Sequence, residues 1–177
     1  MQIPLVMTVI GKDRTGLVES IASIVAEHGG NWLESRMCRL GGEFAGILRV
    51  HVPTENQPAM LEALKGLQTR GLRVVALPDQ ADAALVAGKP AAFEIVGHDR
   101  PGIVRQITHA LAGHGVNVEE FATECVSAPM SGETLFKAQA RLRIPDSCDV
   151  SALRRELEKI AADLMVDISF TELGDGS

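Results

Sequence analysis

Aromatic side chains are nearly absent from this sequence. Phe, Trp and Tyr together make up 3% of 177 residues, and Tyr does not occur. A base-stacking RNA surface needs aromatics on its central strands. The third-strand candidates offer only Phe44 and Phe136. A net charge of −6 also opposes nucleic-acid binding, which draws most of its affinity from Lys and Arg on phosphates. Direct contact with nucleic acid is therefore not expected.

Cysteine is equally scarce. Cys38, Cys125 and Cys148 are odd in number and form no CxxC pair, so neither a disulfide framework nor a zinc site is indicated. His28, His51, His98, His109 and His114 show no metal-ligand spacing. No serine sits in a G-x-S-x-G elbow, and no G-x-G-x-x-G or Walker loop occurs. The expectation is no enzyme, no metal and no cofactor. No apolar run approaches the ~20 residues of a membrane span. The opening MQIPLVMTVIGKDR has no basic leader or small-residue cleavage site and reads as a strand. A cytoplasmic protein without membrane association is expected.

What the sequence has is a repeat. Residues Gly11 to Asn31, GKDRTGLVESIASIVAEHGGN, return as GHDRPGIVRQITHALAGHGVN, Gly97 to Asn117, at a constant offset of 86. Gly11, Asp13, Arg14, Gly16, Val18, Ile21, Ala26, His28, Gly29 and Asn31 each meet an identical residue in the second copy. A gapless match of this kind means one structural unit present twice. Hydrophobic residues make up 46% of the chain, enough for two small cores. Small units are marginal alone, so packing on each other or on a second chain is expected.

Each copy spells the same order. Ile3 to Ile10 is apolar on both faces and reads as a buried central strand. Gly11 to Gly16 is a turn. Leu17, Val18, Ile21, Ile24 and Val25 fall at helical spacing, and Gly29-Gly30 supplies the stop. His28 and His114 read as helix-end residues facing the dipole. Strands Asn31 to Leu40 and Glu43 to Val52 flank a Gly41-Gly42 hairpin. A helix over Glu55 to Thr69 and a strand over Leu72 to Leu77 complete the unit.

The second copy repeats this. Its strands are predicted at Ala91 to Val96, Val116 to Ala128, Thr134 to Ile144 and Met165 to Leu173, with a turn from Pro129 to Gly132. Its helices are predicted at Pro101 to His114 and Val150 to Asp163. The fold class is α+β: two ferredoxin-like βαββαβ units in tandem, each a four-stranded antiparallel sheet with its helices on one face. The expected boundaries are 1–78, a linker over 79–89, 90–174, and a tail over 175–177.

The turns carry the candidate chemistry. Lys12, Asp13, Arg14, Thr15, Gly16 and Leu17 lead into the first helix, as His98, Asp99, Arg100, Pro101, Gly102 and Ile103 lead into the third. A helix start offers unpaired N–H groups to a carboxylate. Gly16 and Gly102 allow close backbone approach. Asn31 and Asn117 open the next strands and can both donate and accept. Such a set can hold a small amino acid. The same residues also serve an ordinary connection: Asp13 and Asp99 as caps, the asparagines as turn formers. Both readings stand at this point.

The stretches GKDRTGLVESIASIVAEHGGNWLESRMCRLGGEF and GHDRPGIVRQITHALAGHGVNVEEFATECVSAPMSGETLF resemble the glycine cleavage system transcriptional repressor family. Its members are tandem ACT domains, and G-x-D-R-P-G-[IL]-V followed by G-x-N is typical of ACT modules. The resemblance implies sensing of a small amino acid, glycine among the candidates, between ACT units, and homo-oligomerisation. It also implies negative control of glycine-cleavage genes through a protein partner, a DNA-binding transcriptional activator. Thr15 departs from the motif, whereas Pro101 keeps it. The alternatives are a ligand-independent dimerisation module and a regulatory subunit of an amino-acid enzyme.

Overall fold

The computed structural model describes residues 1–79, 87–128 and 132–173. The chain folds as two compact units, Met1–Ala83 and Ala84–Ser177. The first runs β1 (Gln2–Lys12), α1 (Leu17–Glu27), β2 (Asn31–Leu40), β3 (Glu43–Pro53), α2 (Gln57–Gly66) and β4 (Leu72–Pro78). The second runs β5 (Lys89–His98), α3 (Ile103–Gly113), β6 (Asn117–Ser127), β7 (Thr134–Ile144), α4 (Val150–Leu164) and β8 (Val166–Glu172). Each forms a four-stranded antiparallel sheet, ordered β2-β3-β1-β4 and β6-β7-β5-β8. The ferredoxin-like α+β reading of the sequence is the observed fold. Most of the expected linker (80–86), the turn residues 129–131 and the expected tail (175–177) lie outside the described residues.

The cores follow from period-2 strands meeting period-3.6 helices. In β1, Leu5, Met7 and Val9 are buried against Ile21 and Val25 of α1 and Met60 and Leu64 of α2. In β5, Phe93 and Ile95 meet Ile107 and Leu111 of α3 and Leu153 and Leu157 of α4. The units fill the same cross-strand row differently. Leu48, Met7 and Ala76 stand where the second unit has Ala140, Phe93 and Phe170.

The expectation of a strand buried on both faces fails for β1. It is central, but Thr8 is exposed and Ile10 is 51% exposed. Two helices form one layer and cover one side of the sheet. The apolar residues on the other side are left in the open.

Helix ends also shift from their expected places. Pro101 lies in the turn, because Gly102 takes φ 92 and is itself the N-cap of α3. The second helix closes at Gly66, and Leu67–Arg70 tightens into a 3₁₀ turn before Gly71 at φ 78. The place of Gly71 is taken in the second unit by Met165, which adopts φ 54 and ends α4. A left-handed residue with a Cβ is strained. Met165→Gly is therefore expected to stabilise the second unit by about 0.5–1 kcal/mol. Urea unfolding checks it, and a loss of stability would refute it.

Candidate functional site

β1 does not stop at Ile10. It continues through Gly11 and Lys12, which pair with Phe44 and Glu43. Gly11 is needed there because a Cβ would overlap the carbonyl oxygen of Gly71. Gly97 is in the same position, where a Cβ would lie 2.5 Å from Cγ1 of Val166. The first glycine of each motif thus lets the last strand of its sheet close in. The exposed turn is shorter than the sequence suggests, Asp13 to Gly16 and Asp99 to Gly102.

The first turn is tied on both sides. The Asp13 amide donates to the Gly42 carbonyl at 2.9 Å. The Asp13 carboxylate meets Nε of Arg39 at 2.5 Å. Arg14 donates from Nη2 to the Arg70 carbonyl at 2.6 Å. Thr15 makes no side-chain hydrogen bond among the described residues. Gly16, at φ 88, caps α1, and its carbonyl accepts from both the amide and the hydroxyl of Ser20. Leu17, 4% exposed, anchors the helix start in the core.

The second turn has the same backbone and looser fastenings. The Asp99 amide donates to the Thr134 carbonyl at 3.1 Å. His98 Nδ1 lies 3.5 Å from Oε2 of Glu133, and Arg100 Nη2 lies 4.0 Å from Sδ of Met165. Ile103 is buried as Leu17 is. The Asp99 carboxylate is exposed and makes no ion pair among the described residues. The register gives the reason. Arg39 pairs with Phe44, and its counterpart opposite Phe136 is Cys125. The residue that holds Asp13 is missing from the second copy.

This register also separates the two cysteines that share second strands. Cys38 pairs with Ala45, whereas Cys125 sits one position along. A matching β-bulge in each second strand, at Trp32/Glu34 and at Val118/Glu120, was not legible in the sequence.

Neither Asp13 nor Asp99 caps a helix. The N-caps Gly16 and Gly102 make no side-chain hydrogen bond. By contrast Asp149 accepts from the Ala152 amide at 2.9 Å to cap α4. Among the described residues the first amides of α1 and α3 have no side-chain acceptor, so they can receive a carboxylate.

Asn31 and Asn117 do not join their own unit's turn. Asn31 pairs with His51, near the Gln2–Pro53 end of the sheet, and Asn117 pairs with Arg143, near Lys89 and Ile144. The turns lie at the other sheet ends, beside Gly42 and Thr134. An 11-residue helix separates turn from asparagine, a span of about 16 Å. One small molecule cannot touch both within one unit.

The helix-end histidines have diverged. Nδ1 of His28 lies 2.7 Å from the carbonyl of Ile24, closing its own helix, whereas His114 Nε2 lies 2.9 Å from Glu156 of α4. Among the described residues no three His, Cys, Asp or Glu side chains group as metal ligands. None of the described helices is long and apolar enough to cross a membrane.

Doubling of a ferredoxin-like unit, with a Gly-x-Asp-Arg turn and a glycine-capped helix in each copy, defines a tandem two-layer α+β protein. The chain belongs to the ACT domain family, which matches residues 4–75 and 93–171. It is similar to the glycine cleavage system transcriptional repressor of Escherichia coli, 24% identical over 162 residues, 90% of this chain and 85% of that one. It is also similar to a UPF0237 protein of Methanopyrus kandleri, 36% identical over 80 residues, 44% of this chain and 81% of that one. A crystal structure of an unknown protein from Galdieria sulphuraria superposes with a TM-score of 0.87 at 27% identity, covering 98% of this chain and 99% of that one. Family membership and the likeness to a repressor support a regulatory role.

Proposed function

We propose that this chain is an amino-acid-responsive negative regulator of glycine-cleavage gene transcription, acting through a DNA-binding protein partner. The observation that carries the sensing part is the inequality of the two turns. Asp13 is committed to Arg39, and Arg14 to the carbonyl of Arg70. Asp99 is exposed and makes no ion pair among the described residues, and it stands three positions before Gly102, the N-cap of α3, which has no side-chain cap. An amino acid has the complementary pair of charges: its carboxylate suits the amides, and its ammonium suits Asp99. The sensing turn in this reading is His98 to Ile103. Because Asn117 lies at the far end of the unit, the reading requires the site to be completed by groups from outside that unit. The transcriptional part rests on the likeness to the repressor, and the negative charge favours control through a protein over direct DNA contact.

A panel of amino acids including glycine and serine, titrated by calorimetry and thermal shift, tests the sensing part. Saturating ligand is expected to stabilise the chain by RT ln(1 + [L]/Kd), about 2.7 kcal/mol at a hundred times Kd. Asp99→Ala is expected to abolish the response, and Asp13→Ala to leave it in place. Silence toward every amino acid, or equal loss in both variants, would overturn the assignment. Recovery of the same DNA-binding protein by the tagged chain, with and without the effective amino acid, tests the partner.

A further inference from the structure

Among the described residues a single non-glycine residue, Met165, holds a left-handed backbone, at φ 54. Its counterpart in the first unit is Gly71, as the pairs Gly11–Leu72 and Gly97–Val166 show. The fold therefore accepts glycine at this position, where a Cβ is strained. Core packing does not explain the methionine, because Met165 is 60% exposed. A side chain kept in a strained conformation that its duplicate avoids points to a role beyond the fold.

Its contact indicates the role. Arg100 directs Nη2 at Sδ of Met165, 4.0 Å away. Arg100 is the second turn's counterpart of Arg14. In the first unit, with Gly71 at the matched position, Arg14 reaches the carbonyl of the residue before it, Arg70, at 2.6 Å. In the second unit the residue before Met165 is Leu164. Among the described residues Arg100 bonds neither the Leu164 carbonyl nor any other oxygen. A thioether is a weak acceptor. The guanidinium of Arg100 therefore keeps its donors for another group, whereas Arg14 has given one to its own unit.

We propose that Met165 is a positioning residue of the second turn: its side chain keeps Arg100 off the Leu164 carbonyl, so that the guanidinium meets the carboxylate of the bound amino acid. This role rests on the amino-acid reading of that turn. There Asp99 supplies the negative group for the ligand's ammonium, and Arg100 supplies the matching cation. A guanidinium–carboxylate contact is charge-assisted and stronger than a neutral hydrogen bond. In the first unit the corresponding pair is occupied, Asp13 by Arg39 and Arg14 by the Arg70 carbonyl. The role belongs to the bulk of the Met165 side chain rather than to its sulfur, so another large apolar side chain serves as well.

The test uses the full chain with Met165→Gly and Met165→Leu. Met165→Gly should melt higher than wild type and yet bind the effective amino acid about tenfold more weakly. A purely structural role does not move stability and affinity in opposite directions. Met165→Leu keeps both the strain and the bulk, and should bind as wild type does. In an Arg100→Ala background, Met165→Gly should cause no further loss of affinity, because it acts through Arg100. A crystal structure of Met165→Gly needs no ligand, and should show Arg100 donating to the Leu164 carbonyl as Arg14 donates to that of Arg70. Unchanged affinity in Met165→Gly, an equal loss in Met165→Leu, or an Arg100 that stays in place in the Met165→Gly crystal structure overturns the proposal and leaves amino-acid sensing intact. Silence of the wild-type chain toward every amino acid overturns the sensing reading and the ligand's part in this role with it, whatever the position of Arg100 in the crystal.

Discussion

Phe93→Ala should lower the stability of the second unit by about 3–5 kcal/mol, the usual cost of emptying a packed aromatic site. Phe93 is 1% exposed, in the middle of β5, between Ala140 of β7 and Phe170 of β8. Against a total stability of about 5–15 kcal/mol for a domain, the loss is severe. Hydrogen exchange should place it in β5 and β7. The matched row of the first unit suggests a rescue. There Leu48 stands in the position of Ala140, beside the slimmer Met7. Ala140→Leu alone should overpack the row and cost about 1–3 kcal/mol. Combined with Phe93→Ala it fills part of the hole and should recover at least about 1 kcal/mol, seen as coupling in a double-mutant cycle. Simple additivity of the two losses would show that the two rows do not trade volume.

The second large effect concerns a glycine, and a matched pair separates two reasons for needing one. Gly11 has ordinary extended backbone, but a Cβ on it would overlap the Gly71 carbonyl and lie 3.1 Å from Cα of Leu72. Both neighbours are backbone and cannot swing aside. Gly11→Val is expected to cost about 3 kcal/mol or more, by forcing β4 away from β1. Gly16 presents the opposite case. Nothing lies within 4 Å of a Cβ there, but φ is 88. Gly16→Ala should cost only about 1 kcal/mol, from left-handed strain offset by lost unfolded-state freedom. Trp32 is the only tryptophan and packs against the first core, so its fluorescence in urea follows this unit. Equal losses in the two variants would contradict the distinction.

Much of this was legible before any coordinates. The repeat at offset 86 identified the unit, and periodicity with glycine stops placed the four α-helices and eight strands of the described residues within a few residues. These features are local. Side-chain period, left-handed glycines and hairpin pairs act within a few residues of one another. The turn residues were legible as a candidate site for the same reason.

How those residues are held was set by pairing between distant strands. The sequence presents Asp13 and Asp99 as equals, yet Arg39 holds one, and Cys125 stands where its counterpart would be. It presents Asn31 as a neighbour of the turn, yet a helix carries it to the far end of the sheet. It presents β1 as buried on both faces, yet one helical layer leaves Ile10 and Ile47 open. The order of elements, their type and their duplication were thus determined by the sequence alone, because short-range sterics and periodicity encode them. Strand register, the pairing of Asp13 with Arg39 and the identity of the uncovered face were decided only by the tertiary structure. They depend on which residues meet across distant stretches of chain, and no local pattern records that.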